Sequence, residues 1–379
     1  MESRYDVIVV GARCAGAATA MLLARRGARV LVLDRAASGS DTLSTHAIMR
    51  GGVLLLARWG LLGEVLRGGA PALRTTTFHY DDESVEVPIK PRFGVDCLVA
   101  PRRTLLDPIL AAAARRAGAD VQYGAAVRGL LRGPDGRVRG VAVERGGTVT
   151  EVSASLVIGA DGVRSTVARL VDAPMTRVAT ATTAIVYGYW PDLAFSGTNW
   201  FFRRGVAAGA IPTDGGLTCV FVAVPPARFE AMRGDLEAGA ARALCEVAPE
   251  LAELPLRPRH GALRPFAGRL GFLRRSHGPG WALVGDAGYF KDPLSAHGIT
   301  DALRDADGLA RAIAGDGLAA YEEERDEASR EMFELTERLA SFQWDLEEVK
   351  LLHRGLSETM NTEVAALAAR EPPLRALAR

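Results

Sequence analysis

The sequence predicts an α/β fold: a βαβ-built domain with a mostly parallel sheet, an antiparallel sheet inserted into it, and helices at the C-terminus. Three observations carry the prediction. The chain opens on a strand, a glycine-containing turn, a helix and a second strand. From about Thr176 to Arg269 the texture changes to alternating strands. The parallel pattern then returns with the apolar run WALVGDAG, and helical sequence fills the rest of the 379 residues.

In order, YDVIVVG reads as a strand, Gly16 to about Arg26 as a helix, and ARVLVLD as the next strand, which makes a βαβ unit. A helical stretch spans Gly51 to Leu66, and TTTFHYDDESVEVPI is polar and strand-like. PRRTLLDPILAAAARRAGA introduces a helix; the strand VQYGAAV, a hairpin through GPDGRV and the buried strand SLVIGADG continue the sheet. ATTAIVYGYW, TNWFFRRGVAAGAIP and LTCVFVAVP form the inserted sheet, followed by one helix ending near Ala248. The expected division places the first domain at 1–75, 98–175 and 270–318, the inserted domain at 76–97 and 176–269, and a helical region at 319–379.

Composition narrows the function. Lys and Arg number 46 against 45 Asp and Glu, so no electrostatic reason exists to invoke nucleic acid or an anionic membrane surface, and a small molecule is the expected partner. The cysteines Cys14, Cys97, Cys219 and Cys245 fall in no metal-ligand or CxxC spacing, so neither a zinc site nor a disulfide framework is expected and no metal is assigned. The start Met-Glu-Ser-Arg runs into Tyr5–Val10 without a secretory pattern, and the apolar neighbourhood VIVVGARCAGAATAMLLA is broken by Arg13. A cytoplasmic protein with no membrane span is the expectation; oligomeric state is not readable.

Three motifs carry chemistry. Gly11-Ala12-Arg13-Cys14-Ala15-Gly16 lies between a strand and a helix, and Asp34 ends the next strand 23 residues after Gly11. Gly11 permits the tight turn and Gly16 close helix–strand packing; a pyrophosphate sits on the helix N-terminus, and the acidic side chain takes a ribose hydroxyl. Arg13 stands where the fingerprint has its middle glycine, and it either crowds the pyrophosphate or adds a positive charge beside it. Gly159-Ala160-Asp161-Gly162-Val163-Arg164-Ser165 follows the strand SLVI, and Gly285-Asp286-Ala287 follows another apolar strand with Pro293 seven residues beyond Asp286. Alone, either is a common turn. With no second GxGxxG, one dinucleotide has a dedicated domain.

In this order the motifs resemble the group A flavoprotein monooxygenases, the family of para-hydroxybenzoate hydroxylase, within a superfamily that includes geranylgeranyl reductases and flavin-dependent halogenases. The resemblance covers about residues 5–170 and 270–315 and is weak across the middle. It implies bound FAD and transient NAD(P)H. Asp161, Gly162 and Ser165 match the DG motif near the flavin pyrophosphate, and Gly285 and Asp286 match the GD motif, whose carboxylate holds the ribityl chain. Arg50 of Arg50-Gly51-Gly52-Val53-Leu54 and Arg103 match arginines that reach the cofactor. The implied cofactor-binding set is Gly11, Ala12, Arg13, Ala15, Gly16, Asp34, Arg35, Arg50, Arg103, Asp161, Gly285, Asp286, Pro293, Gly298 and Ile299. After Pro293 the family has a turn ending in GQGxN, whereas this chain has Leu294-Ser295-Ala296-His297-Gly298-Ile299-Thr300. That turn starts a helix whose amides face the flavin pyrimidine ring.

By resemblance, the expected activity is NAD(P)H-dependent hydroxylation or epoxidation of an aromatic or polycyclic molecule through a flavin C4a-hydroperoxide. The rival is a flavin-linked reductase or dehydrogenase of the geranylgeranyl reductase type. Halogenation is disfavoured because no WxWxIP-like motif is present. A flavin-binding module without turnover is the remaining alternative, since fold does not establish activity. Histidine is the residue type suited to act as a base near neutrality; of His46, His79, His260 and His297, His297, in the flavin-proximal segment, is the candidate catalytic base. Aromatic residues of the middle sheet, Tyr187, Tyr189, Trp190, Trp200, Phe201 and Phe202, either floor a substrate pocket or pack the core.

Overall fold

A computed structural model describes residues 5–370, so the reading made on Met1–Arg4 lies outside the described residues. The first sheet runs, by strand, His277–Gly278, Trp281–Leu283, Thr148–Gly159, Tyr5–Val10, Val30–Asp34, Asp120–Tyr123, with the hairpin Ala126–Arg132 and Val138–Arg145 attached to the long strand. Its centre is parallel: Tyr5–Val10 lies between Val30–Asp34 and the end of Thr148–Gly159. These strands are buried and apolar because helices cover the sheet, above all Cys14–Ala24, which packs on Arg103–Arg116 and Gly298–Ala314.

The second sheet orders His260–Phe266, Ala184–Pro191, Leu217–Val224, Val206–Pro212, Thr198–Arg203, Thr75–Tyr80 and Glu83–Pro88. It is antiparallel except where Thr198–Arg203 pairs in parallel with Thr75–Tyr80, the join between the two stretches of chain that build it. Alternation along the strands sorts side chains onto two faces. One face, with Phe201, Val220 and Val222, is covered by the helices Pro226–Met232 and Leu236–Val247. The other, with Tyr187, Tyr189, Trp200, Phe202 and Phe221, packs toward Leu294 and Ala296 of the first half and toward the C-terminal helices Gly317–Ala340 and Leu346–Ala369.

Several single elements of the sequence reading divide in two. Gly60 takes a left-handed φ of 79° and splits the expected 51–66 helix into Arg50–Arg58 and Leu62–Arg67. Gly124 at φ 65° separates Asp120–Tyr123 from Ala126–Arg132. The polar strand-like piece is a hairpin turning at Asp81 (φ 56°), and the helix expected before Ala248 is a pair. Three short strands, Met175–Val178, Phe272–Arg274 and Tyr289–Phe290, form a small third sheet.

Candidate functional site: a dinucleotide cradle facing an aromatic wall

The first two motifs meet back to back. Gly11 has φ 107°, and a Cβ there would lie 2.4 Å from the Ala160 carbonyl oxygen; at Gly16 a Cβ would lie 1.9 Å from the Gly11 oxygen. Only glycine lets the turn, the helix and the Ala160–Gly162 segment approach this closely. The third motif joins them, because a Cβ on Gly285 would meet that of Ala15 at 2.8 Å. Arg13 has φ −91°, so this middle position needs no glycine.

The helix Cys14–Ala24 begins with no side-chain cap, and its first intrahelical acceptor is the Arg13 carbonyl, taken by Ala17. The amides of Cys14, Ala15 and Gly16 therefore have no helical partner, and with the helix dipole they form an anion site. Asp34 is buried at the end of its strand and accepts the amides of Ala12 (2.8 Å) and Ala36 (2.8 Å), one on each oxygen. A cleft beside it is lined by Ala12, Arg13, Asp34, Gly39, Asp107 and Tyr123. Arg35 is exposed at its edge. Uncapped amides, an acidic strand end and a cradle that a Cβ would fill are the parts that a dinucleotide needs, so the residues present fit FAD.

Asp286 and Arg103 stand next along the groove. Asp286 is partly exposed, and burial pushes its carboxyl up to about 6 against the pull of Arg103 and Lys291. Arg103 is paired with Asp107 at 2.9 Å, and Asp107 also accepts the Cys14 thiol at 3.2 Å. Beyond Asp286, the turn Pro293–Ser295 is held by Asp292, a residue the sequence reading left without a role. Its carboxylate accepts the Thr183 amide (2.6 Å) and hydroxyl (2.8 Å), the Thr182 hydroxyl (3.0 Å) and the Leu294 amide (3.0 Å). It thus ties this turn to the start of the second sheet. Ala296 at φ 52° closes the turn, and the helix Gly298–Ala314 starts without a side-chain cap, Gly298 exposed and Ile299 buried.

Three predicted side chains have other partners here. Arg50 donates to the carbonyls of Lys90 (2.8 Å) and Val95 (3.0 Å), bracing that loop. Asp161 accepts the Ser165 hydroxyl (2.5 Å) and the Thr166 amide (2.6 Å), so its carboxylate caps the helix Thr166–Leu170. His297 is 1% exposed, with Nδ1 3.1 Å from Asp301 and Nε2 2.9 Å from Glu363. Burial lowers its pKa, so the ring is neutral near pH 7, and both nitrogens face carboxylates rather than open space. This placement suits a positioning residue better than a base.

His297, Asp301 and Glu363 have the donor types of a cation site, but cations of the protein already serve them. Lys291 donates to Asp301, and Arg304 reaches Asp301 at 2.9 Å and Glu363 at 2.7 Å. The group is an ion-pair network that docks the helix Leu346–Ala369 onto the start of Gly298–Ala314. The sequence carried no signal for it, because Glu363 lies 66 residues from His297.

Opposite the turn stands His46, 1% exposed and at φ 69°. Its Nε2 lies 2.6 Å from the Tyr189 hydroxyl, whereas Nδ1 has no partner. Burial, and then Arg103, Arg102 and Arg264, lower its pKa to about 3. Of the other histidines considered, His79 bonds Ser84 and Asn199 on the two strands that flank its own, and His260 is exposed. Trp190 and Phe201 belong to the helix-covered face, not to the one facing the groove.

The chain is similar to a menaquinone reductase of Mycolicibacterium smegmatis, 30% identical over 354 residues that cover 85% of this chain and 79% of that one. A 6-methylpretetramide 4-monooxygenase of Streptomyces rimosus is 27% identical over 399 residues, 99% of this chain and 91% of the relative. Among solved structures, PqsL of Pseudomonas aeruginosa, described as a probable FAD-dependent monooxygenase, superposes with a TM-score of 0.79 at 20% identity, over 93% of this chain and 100% of that one, and shows the same fold. Residues 4–336, which span all three motifs and the inserted sheet, match the family described as FAD binding domain, and the chain belongs to that family as an FAD-dependent oxidoreductase.

Proposed function

We propose that the protein is a monooxygenase that uses NAD(P)H and dioxygen to hydroxylate or epoxidise an aromatic or polycyclic small molecule. The observation that carries this reading is the aromatic inner face of the second sheet: Tyr187, Tyr189, Trp200 and Phe221 belong to the cluster that also holds Leu294 and Ala296 of the turn before Gly298–Ala314, while Phe202 packs on Trp344 and His353. Such a face suits a flat, apolar substrate and excludes water from the reacting position. The near full-length likeness to a monooxygenase supports it.

Bound FAD supplies the redox chemistry, accepting hydride from a nicotinamide and handing electrons to dioxygen. The chain's own groups hold and orient it. The amides of Cys14–Gly16 take the pyrophosphate, with Arg13 beside them and Arg103 further along the groove; Asp34 takes a ribose hydroxyl, and Asp286 the ribityl hydroxyls. The uncapped start of Gly298–Ala314, including Gly298 and Ile299, offers amides to negative charge on the ring, and Pro293 sets the turn that aims them. Asp161 and Arg50 act indirectly, by fixing the backbone around the cradle.

A reductase acting on a quinone or isoprenoid is the second reading, favoured by the likeness to menaquinone reductase across 85% of the chain. The two separate on oxygen. NAD(P)H oxidation stimulated by a phenolic or polyketide-like compound, with one atom of labelled dioxygen in the product, is expected; a product formed anaerobically that carries two more hydrogens and no new oxygen assigns the protein as a reductase.

A further inference from the structure

We propose that His46, backed by Tyr189, donates a hydrogen bond from Nδ1 to a ring oxygen of the substrate, the carbonyl of a quinone or the oxygen of a phenolate. The inference rests on the reading that an aromatic substrate lies between the second sheet and the cofactor, and it names the group that recognises that substrate's oxygen.

The backbone makes the first argument. His46 holds a left-handed φ of 69°, a conformation uncommon outside glycine but one that histidine takes more readily than most residues, and it turns the chain sharply at this point. Its amide donates to the Ser44 hydroxyl at 3.0 Å, and the Ser44 amide donates to the Tyr187 hydroxyl at 3.2 Å. The segment before the helix Arg50–Arg58 is thereby pinned to the inner face of the second sheet, with the imidazole at the seam.

The orphaned nitrogen makes the second. A buried polar atom without a partner is costly, and natural proteins keep few of them. Nδ1 of His46 has none, although Nε2 is satisfied and the whole ring is buried. A pinned left-handed turn and an unpaired nitrogen in one residue, between the second sheet and the arginine of the cofactor groove, find a common reason if a ligand atom completes the site.

The surroundings decide which way the bond runs. In the arrangement proposed, the Tyr189 hydroxyl, which burial keeps protonated, donates to Nε2 across 2.6 Å. The neutral imidazole then carries its hydrogen on Nδ1. Arg102, Arg103 and Arg264 each have a carboxylate partner, at 2.9, 2.9 and 2.7 Å, yet all three still oppose a charge on the ring. The same field favours negative charge on an oxygen that accepts from His46. An oxygen that gains electron density during reaction fits; an ammonium or a second imidazolium does not.

The test compares 2-methyl-1,4-naphthoquinone with 2-methylnaphthalene, which share a carbon skeleton and differ by the carbonyl oxygens. Each is titrated into FAD-loaded protein in the absence of nicotinamide, following flavin absorbance and protein fluorescence. The wild type is expected to prefer the quinone by about 10-fold, the range of one hydrogen bond. His46→Gly, which relieves the backbone and removes the donor, loses that preference, and Tyr189→Phe reduces it. His46→Asn, which tolerates the left-handed turn and retains an N–H donor, keeps most of it. Unchanged melting and FAD content in His46→Gly show that the fold is intact. A retained preference in His46→Gly, a wild type that binds both probes equally or neither, or a flavin spectrum altered in His46→Gly before any probe is added would overturn the proposal, the last by making the flavin itself the acceptor. These titrations consume neither NAD(P)H nor oxygen, so a protein that binds the quinone through His46 but incorporates no oxygen refutes the monooxygenase reading alone.

Discussion

Asp286 offers a direct measure of how the groove holds its cofactor. In the protein without FAD its carboxyl sits at about 6, because burial outweighs the attraction of Arg103 and Lys291. Ribityl hydroxyls that donate to the carboxylate favour the ionised form, so binding and deprotonation are linked. A hydrogen bond to a charged group contributes about 1.5 to 3 kcal/mol, and Asp286→Ala is therefore expected to weaken FAD binding by about 10- to 100-fold. Folding should not suffer. Arg103 keeps Asp107 at 2.9 Å, and the variant removes a carboxylate whose raised pKa already marks it as unfavourable in its ionised form.

The sign of the pH effect follows from the same residue. The folded-state pKa without FAD is above the ordinary carboxylate value, so Asp286 contributes stability present at low pH and lost as pH rises through about 6. FAD reverses this, since only the ionised form is the full acceptor; wild-type affinity should fall as pH drops from 7.5 to 5, while Asp286→Asn, which does not titrate, should lack that component. Dissociation constants from flavin fluorescence on reconstitution, with circular dichroism to verify folding, provide the measurement. Wild-type affinity in a folded Asp286→Ala protein, or an identical pH profile in Asp286→Asn, would refute the assignment of this carboxylate to the ribityl chain.

Three further outcomes are expected. Gly11→Ala places a Cβ 2.4 Å from the Ala160 oxygen at φ 107°, so it should lose FAD on gel filtration and melt at lower temperature, whereas Gly27→Ala, where nothing lies within 4 Å of the added atom, carries only the backbone strain of its φ of 88°. His353 is held at a pKa of about 3 by burial, so it binds its proton in the unfolded chain before the folded one; stability should fall as pH drops below 6.5, by about 2 kcal/mol at pH 5 from this residue, and urea midpoints for His353→Gln should be flatter over that range. Glu363→Gln leaves Arg304 with Asp301 and Asp305, each at 2.9 Å, so the loss should stay below the about 3 to 5 kcal/mol of an orphaned buried charge, read as a lower urea midpoint and as faster proteolysis within Leu346–Ala369.

The cradle was legible in the sequence because its constraints are local. Glycines at positions 11 and 16 and an acid at Asp34 follow from one turn, one helix N-terminus and one strand end, and each has a period or spacing that survives in one dimension. The second sheet was legible for a similar reason: alternation marked its strands, although only pairing across 122 residues, Thr198–Arg203 beside Thr75–Tyr80, shows how the two stretches join. The breaks at Gly60 and Gly124 were missed because an isolated glycine interrupts a helix or strand only when its φ turns positive, which the local pattern does not reveal.

The side-chain chemistry was less legible. His297 was singled out because its position in the chain is next to the flavin-proximal turn, but position in sequence says nothing of which way a ring points. The ring turns inward because Asp301 lies one helical turn on, and Glu363 and Arg304 close around it. His46 carried no motif at all. Its claim comes from three long-range facts, the hydroxyl of Tyr189, the arginines on two different elements and a left-handed backbone, none of which has a linear signature. His297 sits between the carboxylates of Asp301 and Glu363, at 3.1 and 2.9 Å, and braces the two helices that carry them, whereas His46 has only the Tyr189 hydroxyl on one nitrogen and no partner in the chain on the other.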